Sequence, residues 1–117
     1  MPRDPRAFLW DVRQAADNIA AFIRDKNEAD YRADPLLHSA VERQLEIIGE
    51  ALNQLDKSAP AIAARIPHLR QIVGLRNILI HGYALVKHDL IWRSVRDDLP
   101  QLRAIVDALL KELGERA

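Results

Sequence analysis

The chain has no cysteine, which excludes a disulfide framework and any thiolate metal site and agrees with a reducing compartment. It has no apolar run near the roughly 18 residues that a membrane span needs. Its net charge is zero, seventeen basic residues against seventeen acidic ones, so overall charge points to no nucleic-acid partner. An apolar leader segment is also missing. Met1-Pro2-Arg3-Asp4-Pro5-Arg6 is basic but runs into an amphipathic pattern containing Asp11, Arg13 and Asp17, and the expected location is the cytoplasm. No segment alternates with period two, no glycine-rich turns separate such segments, and no internal repeat is present, so a β-sheet is not expected.

What the chain has is helical periodicity. Its 117 residues, 49% of them hydrophobic, suit one domain spanning 1–117 with one core. Asp4-Pro5 and Asp34-Pro35 each set a capping carboxylate before a proline that needs no helical N–H, so both mark helix starts. Phe8, Val12, Ala15, Ile19 and Phe22 then define a first helix of about 22 residues, and Leu37, Val41, Leu45, Ile48, Leu52 and Leu55 a second. The polar stretch Asn27 to Ala33 reads as a loop or frayed end between them. Pro60 and Pro67 bracket a short segment that holds a turn or so of helix. From His68, apolar residues on more than one side predict a third helix, the most buried, stopping at Gly82. A fourth starts near His88-Asp89 and carries a stripe from Val95 to Leu113, with a kink or restart near Asp98 to Pro100. The expected fold is all-α: a four-helix up-and-down bundle with a short extra helical turn.

At the end of the third helix, Arg76-Asn77-Ile78-Leu79-Ile80-His81-Gly82-Tyr83 sets a guanidinium, an amide, an imidazole and a phenol among apolar residues. At about 100° per residue, Asn77 and His81 share a face, whereas Arg76 and His81 stand about 140° apart. One copy therefore converges them poorly, and a two-fold homodimer would bring two arginines and two histidines around one cleft. Such a cleft suits attack of a ribose 2′-hydroxyl on the adjacent phosphate. Histidine moves the proton, and arginine holds charge building on the phosphoryl oxygens. A position near a helix C-terminus favours an acid or phosphate-binding role for His81 over that of a pure base. Asn77 could orient the imidazole, and Tyr83 could position a phosphate or a base. The sequence lacks the clustered carboxylates of a Mg²⁺ nuclease and a zinc-type histidine pair, and beside His88 the acid Asp89 gives only a weak metal-like pair, so no metal or cofactor is expected. From Arg65 to Arg96 six basic residues face one acid, Asp89, a local footprint for either a phosphate backbone or an acidic partner.

The segment Gly74 to Tyr83 resembles the signature of HEPN domains, and especially that of the HepT-like toxin branch. Leu45-Glu46-Ile47-Ile48-Gly49-Glu50-Ala51 is similar to that branch's second-helix motif, and Ile91-Trp92 with Asp98-Leu99-Pro100 to its fourth-helix pattern. The resemblance implies a homodimeric, metal-independent endoribonuclease toxin of a type VII-like toxin–antitoxin pair, with Arg76 and His81 catalytic at the dimer cleft and Asn77 and Tyr83 supporting. It also implies a minimal nucleotidyltransferase antitoxin that neutralises the toxin by transferring AMP to Tyr83. Gly82 departs from the branch, which often has an acidic or polar residue there.

Other readings attach to the same residues. The cleft could belong to a binding module that docks a nucleotide or a nucleotidyltransferase without cutting RNA, or Arg76 could be purely structural. Glu46 and Glu50, one turn apart, are candidate supports that either hold Arg76 or cap a polar layer. His38, His68 and His88 are expected at the surface, and Trp10 and Trp92 in the core or an interface.

Overall fold

The computed structural model describes residues 3–81 and 87–114, with the side chain of His81 outside that set. Among the described residues all regular structure is helical: α1 (Pro5–Phe22), α2 (Glu28–Ala33), α3 (Pro35–Ser58), α4 (Pro60–Ala63), α5 (Leu69–His81), α6 (His88–Arg93), a π turn (Ser94–Asp98) and α7 (Leu99–Glu112). The two Asp-Pro starts form as expected. The Asp4 carboxylate accepts from the Arg6 N–H, and that of Asp34 from the N–H groups of Leu36 and Leu37. α1 has 18 residues, shorter than expected, and ends with its apolar stripe at Phe22. Asn27 to Ala33 is not a loop. Asn27 and Asp30 form a reciprocal capping box that satisfies both N–H groups and starts α2, which then buries Tyr31 completely.

α3 is the central element, packed on α1 along one side and on α5 along the other, while α7 closes on the far side of α1. Leu9, Val12 and Ile19 of α1, Val41, Ile48, Leu52 and Leu55 of α3, and Val106 and Leu110 of α7 are fully buried and form one continuous core. α5 is not the most buried helix. Val73 and Leu79 lie in the core, but Asn77 and Ile78 face outward, Ile78 with 43% of its surface exposed. The interruption before Pro100 takes the form of the π turn, which absorbs an extra residue and lets α7 restart with Pro100 in its first turn, where no N–H is required. Gly82, the expected stop of α5, lies outside the described residues, and no helix among them is long and apolar enough to cross a membrane.

Candidate functional site

Arg76 enters the site because α3 and α5 come into direct contact there. Gly49 faces Arg76 across the helix pair, and a β-carbon added at Gly49 would overlap Arg76 Cβ and stand 2.8 Å from its Cγ. The absence of a side chain therefore sets the helix separation. The guanidinium emerges beside Glu50, the next residue of α3, and pairs with its carboxylate at 2.7 Å. Its Nη1 donates to Asn77 Oδ1 at 3.0 Å, and Gln54, one turn along α3, donates to the other Glu50 oxygen at 3.0 Å. Arg76 is 25% exposed, and its Nε is buried without a partner among the described residues. The chain Gln54–Glu50–Arg76–Asn77 thus holds one cation by its two terminal nitrogens, Nη1 and Nη2, at the edge of a groove.

That groove, of about 640 Å³, runs between α1, α3 and α5. Three arginines line it, and each is matched by an acid: Arg76 by Glu50, Arg43 by Glu46 at 3.4 Å, and Arg3 by Asp11 at 3.0 Å. Of the two expected supports, Glu50 holds Arg76, and Glu46 pairs with Arg43 instead. His81 ends α5 on its backbone, while its side chain, like the whole of Tyr83, lies outside the described residues. No grouping of three or more His, Asp or Glu among the described residues is arranged to hold a metal ion.

The histidines split. His68 is exposed and meets Gln71, whereas His38 and His88 are not surface residues: their half-buried rings stack at 3.8 Å against Tyr31, whose ring also meets Trp92. The physical reason is α2, which the sequence did not suggest and which closes over α6 and α3. Trp92 is buried and Trp10 partly so. Glu42 lies beside this cluster, and burial raises its carboxyl above the usual glutamate value, against the pull of His88 and His38.

The described residues form an all-α domain in which α5 sets a clamped arginine, Arg76, and the amide of Asn77 beside α3. Residues 12–109 match the model of the family described as "Ribonuclease HepT-like", and the chain belongs to that family. "Putative RNase MJ1380" of Methanocaldococcus jannaschii is 34% identical over 105 residues, covering 90% of this chain and 95% of the relative. "Probable ribonuclease HepT" of Thermococcus cleftensis is 32% identical over 111 residues, covering 95% of this chain and all of the relative. No solved structure matches the chain.

Proposed function

We propose that this chain is an endoribonuclease that works as a homodimer, the toxin of a type VII-like toxin–antitoxin pair, with Arg76 and His81 as its catalytic residues. The observation that carries the reading is the clamped Arg76: a half-buried guanidinium held by Glu50 and Asn77, with donors left for phosphoryl oxygens. Family membership and the names of its relatives favour RNA as the substrate. In the proposed step, the ribose 2′-oxygen attacks the adjacent phosphorus and loses its proton to a histidine. The 5′-oxygen leaves with a proton from water, and a 2′,3′-cyclic phosphate remains. Arg76 stabilises the charge on the non-bridging oxygens, and Asn77 supports it.

The outer face of α5 favours the dimer. Gly74 has nothing within 4 Å of a β-carbon placed on it, Ile78 is exposed, and helical arithmetic puts His81 on the same side, about 140° from Arg76. A second α5 packed over Gly74 would set the partner's histidine against this outer face. The antitoxin is a minimal nucleotidyltransferase that joins the α-phosphate of ATP to Tyr83 Oη and releases pyrophosphate. Co-expression with such an enzyme, followed by intact mass spectrometry, should show AMP on wild type and none on Tyr83→Phe.

Purified protein in EDTA should cut single-stranded RNA, and His81→Ala should abolish both the cutting and growth arrest on expression. Equal cutting by His81→Ala would remove the mechanism. The Glu50–Arg76 pair favours one rival, a binding module whose arginine is already neutralised. Under that reading, wild type binds nucleotide or nucleotidyltransferase and leaves RNA intact in the same assay.

A further inference from the structure

The basic stretch from Arg65 to Arg96 loses most of its charge once it is folded. Arg65 forms a two-bond pair with Glu112, Arg70 meets Asp56 at 2.9 Å, Arg76 meets Glu50, and Arg96 meets Asp97. Two cations keep theirs. Lys87 and Arg93 are exposed, and no carboxylate among the described residues pairs with either. Asp89, the acid of that segment, is half-buried and forms no ion pair among them. The two cations lie six residues apart, about 9 Å along the axis, with Leu90 midway and 48% exposed. α6 also shares a cleft with the motif helix. This cleft, of about 100 Å³, is lined by Lys87, Leu90 and Ser94 together with Leu75 and Ile78 of α5.

We infer that the outer face of α6, through Lys87 and Arg93, carries the phosphodiester backbone of the single-stranded RNA that the protein cuts. This rests on the ribonuclease reading above and adds the path of the strand. Beyond the scissile phosphate at Arg76, the groove between α1, α3 and α5 suits a polyanion less well, because its three arginines are already matched by carboxylates. Single strands are held by unpaired cations for the phosphates and by apolar or aromatic surface for the base faces, and the Lys87–Leu90–Arg93 face offers both. With leucine rather than an aromatic ring under the base, phosphate pairing dominates. Binding is then sequence-tolerant and strongly dependent on salt.

The test uses the full chain carrying His81→Ala, so that a fluorescent single-stranded RNA stays uncut. Adding K87Q/R93Q should raise Kd about tenfold or more at moderate salt and lower the slope of log K against log salt by roughly 1.4, two single-strand phosphates' worth. The control R24Q/K26Q removes the same charge from unpaired, exposed residues beyond α1 and should leave both near the parent. Equal shifts from both pairs would overturn the assignment, as would unchanged RNA affinity in K87Q/R93Q. Conversion of K87Q/R93Q to a monomer in light scattering would also overturn it, because the face would then belong to a second copy. A parent that binds RNA through this face while the His81-containing protein cuts nothing keeps the path and removes the ribonuclease reading. Failure of the parent to bind RNA removes the path, and cutting by the His81-containing protein in that case leaves the ribonuclease reading standing.

Discussion

Two glycines separate what packing demands from what helix propensity prefers. Replacing glycine by alanine inside a helix ordinarily stabilises it by about 0.5–1 kcal/mol. Gly74 faces open space and should follow that rule in the isolated subunit, whereas Gly49 should reverse it. A methyl group at Gly49 overlaps the Arg76 side chain, so Gly49→Ala should cost about 1–3 kcal/mol in denaturant unfolding and displace the guanidinium, lowering the rate of RNA cleavage as well. A variant as stable as wild type would show that α3 and α5 do not need their close approach. Glu42 gives a second prediction, with a defined sign. Its folded pKa is raised, first by burial, so the ionised carboxylate costs stability at neutral pH, and that cost disappears as pH falls through its folded value towards the ordinary 4.5. Glu42→Gln should therefore raise Tm at pH 7, and the gain should shrink on acidification towards that value. Asp107, lowered by Lys111 and Arg13, and Glu112, lowered by Arg65, act in the opposite sense: their contributions are present above the ordinary carboxylate range and are lost as pH falls through their depressed values.

Among the elements, α2 shows how a short helix depends on its cap. Six residues cannot sustain a helix by propensity alone, so the Asn27–Asp30 box and burial of Tyr31 must hold it. Asn27→Ala should lower stability by about 1 kcal/mol and loosen the Tyr31 packing over His38 and His88, seen as a changed near-ultraviolet circular dichroism band. Unchanged stability would mean that Tyr31 alone holds α2. The long helices were legible because their stripes keep helical spacing and their Asp-Pro starts announce themselves. α2 was not, since its capping box sits in a polar run with no apolar stripe, and without α2 the burial of His38 and His88 could not be foreseen. The motif residues stood out in sequence as polar groups among Leu and Ile. Which acid meets Arg76 did not: Glu46 and Glu50 are both one turn from useful positions, and only the register set by Gly49 decides for Glu50.

For the whole molecule, the question is whether one subunit holds a complete site. On α5 the positions of Arg76 and His81 diverge by about 140°, and the Glu50 clamp fixes the guanidinium towards α3, away from the outward face of Ile78. A site that pairs the arginine of one subunit with the histidine of the other has a consequence that a self-contained site lacks. Arg76→Ala and His81→Ala, each inactive alone, should regain RNA cleavage when mixed and allowed to exchange subunits. Half of the dimers then carry both variants, and each of those retains one site with an intact arginine and an intact histidine, giving about a quarter of wild-type activity. Ile78→Glu added to both chains should abolish the recovery while leaving the helical signal unchanged, because it charges the exposed face of α5 without entering the core. No recovery in a mixture shown to contain heterodimers would place Arg76 and His81 of one subunit in the same site.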